Sequence, residues 1–378
     1  MTFFHWVTDD KFIDDLISVM EYTKGHHTHI YAIVSDDEKF NFIYIKRKEC
    51  IKIVRSSKLL TVLNAYDVIV LHGLRAGVFD VLNKIPQEIK VAWFAWGYDL
   101  YSTPCKRHPF IKIPLYKPLT KTVIRNNKLK GYLSELHVEL NYLRSKKRIE
   151  KAISRIDYFS GVIPQEFDLM KNNSFFRAKQ LHFHYFSLKD EVSELNIKNS
   201  LPTGNNILVG NSGDPTNNHL DAFKYLKNLE LADKIIYVPL SYGGTDNYRQ
   251  KVKAVGKKNW GEKFVPLDSF LPYEEYCNVV SSCSNVVMFH ERQQAMGNIR
   301  QELWKGCKVF LSSSGLSYSY YKSLGIQVFS VQHELSAEMI NNPLSSLEVE
   351  KNRSKMIATI SHTHFIKDIK QMYEILEK

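Results

Sequence analysis

Two doubly wound α/β domains, each a parallel sheet with helices on both faces, are predicted for this chain of 378 residues. Three observations predict them. Short continuous apolar runs alternate with helical periodicity almost throughout, as they do where strands are buried on both faces. The alternation halts at a polar stretch, Leu188–Asn206, containing Ser-Leu-Pro-Thr-Gly-Asn-Asn, and then restarts. The length suits two hydrophobic cores better than one.

In chain order, FFHWV (3–7), HIYAIVS (29–35), IKIVRS (51–56), DVIVLHG (67–73), KVAWFAWG (90–97), DYFSGVI (157–163) and LHFHYF (181–186) read as strands. Helical spacing connects them at Lys11–Tyr22, Lys58–Tyr66, Val78–Asn83 and a long stretch, Lys117–Ile156. After the boundary come strands ILVGNS (207–212), KIIYVPL (234–240), KFVPL (263–267), SNVVMF (284–289), KVFLSS (308–313) and IQVFS (326–330). Helices are expected at His219–Asn228, Asp246–Val255, Tyr273–Cys283, Asn298–Lys305 and Tyr318–Leu324, and from Arg353 to Lys378. The predicted domains are therefore 1–190 and 205–352, followed by a C-terminal helix, 353–378.

Composition excludes several classes. With 44% hydrophobic and 24% charged residues the chain is globular, neither collagen-like nor wholly disordered. No run of 18 apolar residues suggests a transmembrane helix. The N-terminus lacks a basic region, and Asp9 and Asp10 stop its apolar run, so no secretory signal is expected. The five cysteines form no CxxC or zinc spacing and read as reduced thiols. His26, His27 and His29 have no carboxylate or cysteine at a metal spacing and read as a loop; no metal is expected.

Charge is concentrated. Tyr101–Arg155 holds 14 Lys or Arg against Glu135, Glu139 and Glu150, which accounts for the whole net +11. Apolar residues from Phe110 to Tyr116 interleave with these cations. Such a segment suits an anionic partner surface, inner-leaflet lipid before nucleic acid, because no nucleic-acid-binding signature accompanies it. A solvated basic helix pair explains the same charge.

Ligands of open parallel sheets gather at the carboxyl ends of strands. There the first half offers His72-Gly73 and Gly97-Tyr98-Asp99. Asp99 follows a very apolar strand, where a raised pKa would suit a general base; a helix cap is the alternative. His72 is the other base candidate, or a satisfied structural histidine. The second half offers Gly210-Asn211-Ser212-Gly213-Asp214, with the composition of an anion cradle or of a plain turn, and Tyr242 after its strand. The loop from His290 through Arg292, Gln293 and Gln294 leads to Gly297-Asn298 at an expected helix start, with Arg300 and Glu302 one turn in. Amides there would favour a phosphate, Arg292 or Arg300 would offset diphosphate charge, and Glu302 would accept from a sugar hydroxyl. Alternatively, Glu291 and Arg292 form surface ion pairs and Gly297 is only a turn.

These motifs resemble those of GT-B glycosyltransferases and, more narrowly, glycosyltransferase family 56, the dTDP-N-acetylfucosamine:lipid II N-acetylfucosaminyltransferase family. The matching stretches are HG (72–73), WGYDLY (96–101), ILVGNSGDPTNNH (207–219), VPLSY (238–242) and RQQAMG (292–297). The resemblance implies two Rossmann-like domains facing a central cleft. It implies a dTDP-linked amino-dideoxy sugar donor and a polyprenyl-diphosphate-linked glycan acceptor, in O-antigen, capsule or enterobacterial common antigen synthesis. It implies no metal or cofactor, a peripheral place on the cytoplasmic face of the bacterial inner membrane, and a last helix crossing back to the first domain. Gln294 and Glu302 fall on the eight-residue acidic pair of many GT-B enzymes. Glu302 thus follows the broad fold and departs from family 56, where that position is apolar. Other readings are an epimerase or phosphorylase on the same fold, or a polyanion-binding protein without chemistry.

Overall fold

The computed structural model describes residues 1–37, 39–75, 77–101, 110–125, 143–185 and 201–378. The chain divides into two compact units. The first comprises Met1–Lys112, Leu133–Phe186 and Thr363–Lys378, and the second Ile113–Tyr132 and Ser187–His362.

The first unit is built on strands β1 (Thr2–Trp6), β2 (Thr28–Val34), β3 (Ile51–Val54), β4 (Val68–His72), β5 (Lys90–Phe94), β6 (Tyr158–Ser160) and β7 (Lys179–Gln180). All pairings are parallel, in the order β3-β2-β1-β4-β5-β6-β7. The central strands are continuously apolar because helices cover both faces; every residue of β4 is buried. The second unit holds β8 (Asn206–Val209), β9 (Ile236–Pro239), β10 (Phe264–Leu267), β11 (Cys283–Met288), β12 (Lys308–Leu311) and β13 (Phe329–Ser330). Its order is β10-β9-β8-β11-β12-β13, again all parallel. In each unit the strand order reverses beside the first strand, between β1 and β4 and between β8 and β11. The loops leaving those strand ends are splayed there, which is where α/β sheets bind ligands.

Every expected strand but one has a counterpart, and several bounds differ. LHFHYF does not pair as a strand: β7 ends at Gln180, and the Ser160 hydroxyl takes the Phe183 amide (3.0 Å) in place of a ladder carbonyl. The single C-terminal helix is two, Ser346–Ile360 and His362–Glu377, broken where Ser361 is extended (φ −70°, ψ 165°). The long basic helix is interrupted: helix Pro118–Ile124 and a helix over 143–154 are formed, and the rest of the expectation (126–142) lies outside the described residues. The basic segment also does not belong wholly to the first domain, because Ile113–Tyr132 clusters with the second unit. The cause is local. The Asp221 carboxylate accepts from the amides of Leu119 and Thr120 (both 2.9 Å), capping helix Pro118–Ile124, and Asn218 Oδ1 accepts from the Lys117 amide (2.8 Å).

The last helix packs Phe365, Ile369, Met372, Tyr373 and Leu376 into the first unit's core. Among the described residues no helix is long and apolar enough to cross a membrane.

Candidate active site

In the second unit the sheet chain order brings two loops from distant sequence together. Gly210 ends β8 with φ +73°, and a Cβ there would stand 2.6 Å from His219 Nε2 and 2.8 Å from Asn217 Oδ1. Only glycine fits both constraints. Asn217 then organises the turn: its Oδ1 accepts from the Asn211 amide (2.9 Å) and lies 2.8 Å from His290 Nε2, and its Nδ2 donates to Ser212 Oγ (3.2 Å) and the Asp214 carbonyl (3.0 Å). Asp214 caps the following turn, accepting from the Thr216 amide (2.9 Å).

The loop after β11 is bonded to this one. The Thr216 hydroxyl lies 2.6 Å from Gln294 Oε1, and Gln294 Nε2 donates to Asn211 Oδ1 (3.2 Å). The loop ends on Ala295 in the left-handed region (φ 54°), after which helix Met296–Lys305 begins. Gly297 is therefore inside the first helical turn, not a turn residue, and the strained position falls on Ala295, two residues earlier. Gln293 is buried, and the Arg292 guanidinium donates to the Gln293 carbonyl (3.1 Å). Glu291 is buried instead of forming a surface pair with Arg292. Its Oε1 meets Lys117 Nζ (2.5 Å) and accepts from Ser312 Oγ (2.8 Å).

Beside these loops lies a cavity of about 400 Å³ whose walls include Asn211, Tyr242, Tyr276, Asn298, Glu302 and Lys305. Four expected site residues, Asn211, Tyr242, Asn298 and Glu302, thus line one cavity. Gly210, Ser212, Asp214 and Gln294 stand behind them as scaffold, and Gly297, Arg292 and Gln293 do not line the cavity. Tyr242 donates its hydroxyl to the Asn211 carbonyl (3.2 Å) and is otherwise largely exposed. Burial pushes the Glu302 carboxyl upward, opposed by Lys305 Nζ (3.4 Å) and by the Cys307 thiol at Oε2 (3.3 Å). Burial also holds His219 and His290 neutral, with pKa lowered to about 3. Their Nε2 and Nδ1 respectively are buried without a hydrogen-bond partner among the described residues.

In the first unit the two expected bases are braces. Asp99 is fully buried. Its Oδ2 accepts from the Leu74 amide (2.9 Å) and Trp93 Nε1 (2.8 Å), and its Oδ1 from the Trp96 amide (2.7 Å). Burial pushes its pKa up to about 7, and those three donors pull the other way. It ties the loops after β4 and β5 together and does not reach solvent. His72 has both ring nitrogens occupied, Nε2 by His5 Nδ1 (2.9 Å) and Nδ1 by the Tyr185 hydroxyl (2.7 Å). Gly73 beside it has φ +84°, and a Cβ there would collide with the Tyr98 hydroxyl.

Asp10, just past β1, is a partly accessible acid at this edge; in the sequence it reads only as the end of an apolar run. It is half-buried, and burial raises its pKa against the Phe12 amide, Lys11 and Arg75. Its charge is felt by Tyr98 and Tyr185. Around it Trp96 stacks on Phe12 (5.1 Å) and packs against Tyr185 (4.3 Å). The available signal was its place after a strand at the order reversal, which requires knowing the topology.

The sequence model of the family described as 4-alpha-L-fucosyltransferase, glycosyl transferase group 56, matches residues 155–373. Solved structures share the fold at low identity. Anabaena HepE, in complex with UDP and glucose, has a TM-score of 0.60 at 10% identity, covering 99% of both chains. The lipopolysaccharide outer core galactosyltransferase WaaB, in its apo form, gives 0.59 at 10%, covering 98% of this chain and 97% of its own. An alpha-glucosyltransferase in complex with UDP and a 13-mer DNA gives 0.56 at 12%, covering 100% and 99%. Two parallel sheets, paired loops at the second sheet's reversal and a family match over more than half the chain lead to one conclusion: this chain is a GT-B glycosyltransferase that belongs to glycosyl transferase group 56.

Proposed function

We propose that the chain transfers an amino-dideoxy hexose of the N-acetylfucosamine type from a dTDP donor to a polyprenyl-diphosphate-linked glycan. It would do so at the cytoplasmic face of a bacterial inner membrane, in surface polysaccharide synthesis. The observation that carries the reading is the joined pair of loops, Asn211–Thr216 and Gln294–Asn298, beside one cavity. A nucleoside fits a cavity of that size, with the rim residue Phe270, 90% exposed, offering its ring to a base. The diphosphate lies against the Asn211–Ser212 turn, where the buried imidazoles of His219 and His290 are its neutral support. Lys305, on the cavity wall, supplies a cation, so the leaving group is stabilised by protein groups without a metal. Asp10 takes the acceptor hydroxyl's proton, and Asp99 and His72 hold the loops that position it.

The helix Pro118–Ile124 supports a membrane surface as partner: Leu119 and Ile124 are exposed beside Lys121 and Arg125. A thermal-shift panel of dTDP, UDP, GDP and ADP tests the donor class. Stabilisation by dTDP above the other three is expected, and equal or greater stabilisation by UDP would overturn the dTDP assignment.

A further inference from the structure

A second cluster lies in the first unit, where the last helix ends against the turn that precedes β2. His26, His27 and Glu377 each offer one ligand atom, and the three atoms lie within 4.8 Å of one another. His26 Nε2 is 3.0 Å and His27 Nε2 3.7 Å from Glu377 Oε1. Tetrahedral zinc with bonds near 2.1 Å sets its ligands about 3.4 Å apart, between those two values. No carboxylate stands at a ligand spacing from these histidines in the sequence; the fold supplies one from 351 residues away.

Two of the three groups are held in place by packing. The His27 side chain is buried, edge-on to Phe3 (5.6 Å) and against Tyr373 (4.5 Å). Glu377 follows Leu376, which is fully buried and whose carbonyl accepts from Lys90 Nζ (2.6 Å). Gly25, with φ +53°, turns the chain so that His26 and His27 face the helix end. His26 is exposed, leaving a side open to solvent for a water ligand.

We propose that His26, His27 and Glu377 form a binding site for a divalent transition-metal ion, zinc by its two-imidazole, one-carboxylate chemistry, that ties the end of the last helix to the turn before β2. The clamp is structural. It adds a cross-link between the two ends of the first unit and takes no part in the transfer reaction.

The test uses the full chain without a histidine tag, stripped by chelator and titrated with ZnCl₂ by calorimetry. One zinc per chain is expected. His26→Ala and Glu377→Gln are each expected to weaken binding by more than about 10-fold, the loss that follows even from removing an outer-shell partner. Zinc is also expected to slow amide exchange across 362–377, and both variants to abolish that slowing. Both substituted side chains are substantially exposed, so the variants retain the fold, which circular dichroism verifies. No saturable site, or zinc affinity unchanged in both variants, overturns the proposal and leaves a His–Glu ion pair in its place.

Discussion

Asp10 and Asp99 stand at the same sheet edge in opposite environments. Asp99 accepts three N–H bonds and sees no solvent. Asp10 is half-exposed among aromatic rings with its affinity for protons raised. Asp10→Asn is expected to lower kcat by about 10²–10⁴-fold, the usual worth of a positioned base, with dTDP affinity unchanged; wild-type turnover would remove Asp10 from the chemistry. Asp99→Asn sets an amide NH₂ against donors that cannot accept from it. Destabilisation of about 1–3 kcal/mol is expected, visible in urea unfolding. At Gly210, alanine meets both a left-handed backbone and the His219 ring. Gly210→Ala is expected to cost about 1–3 kcal/mol and to weaken dTDP binding by calorimetry, since the Asn211 turn cannot keep its shape.

At the scale of elements, the helix Pro118–Ile124 is the most instructive. Its cations and apolar residues were evident as a pattern, but its docking partner, Asp221, is about a hundred residues away and was not. Lys117 is also removed from the exposed set, since Glu291 and the Phe289 ring engage it. Replacing Lys121 and Arg125 with Gln is therefore expected to weaken binding to anionic vesicles by about 1 kcal/mol per charge, and salt to weaken the wild type likewise, in a flotation assay. Unchanged partitioning would return this helix to an ordinary solvated face. The strand elements were legible because burial on both faces demands unbroken apolar runs. Element ends were not, because a single side chain can replace a ladder bond, as Ser160 does at Phe183.

At the scale of the molecule, burial of imidazoles sets the response to acid. His29, His72, His219 and His290 have pKa values lowered from 6.5 to about 3, and His5 is also lowered well below 6.5, by burial and then by His29 and His72. Within the first unit His5, His29 and His72 are bonded in series (2.8 and 2.9 Å), ending on the Tyr185 and Tyr373 hydroxyls. Each ring donates at one nitrogen and accepts at the other, so protonating any of them breaks the series. Below pH 6.5 the unfolded chain takes up these protons and the folded one does not. Stability therefore falls as pH drops from about 6.5 toward 3, by about 1.4 kcal/mol per pH unit for each histidine. Asp99, raised to about 7, binds its proton in the folded state first and offsets one of them. Urea midpoints at pH 7.5, 6.0 and 5.0 are expected to decline steeply; a flat profile would show that the histidines carry charge in the folded protein.

Local sequence determined the two-domain α/β grammar, the strands, and the loops that carry Asn211, Tyr242 and Asn298, because burial and turn chemistry act over a few residues. Tertiary structure alone decided which loops meet, since the order β8-β11 joins Thr216 to Gln294 across 78 positions. It also decided which acid is sealed and which is open, and which carboxylate faces His26. Those outcomes depend on the surroundings of a side chain after the chain has folded, and no spacing along the sequence encodes them.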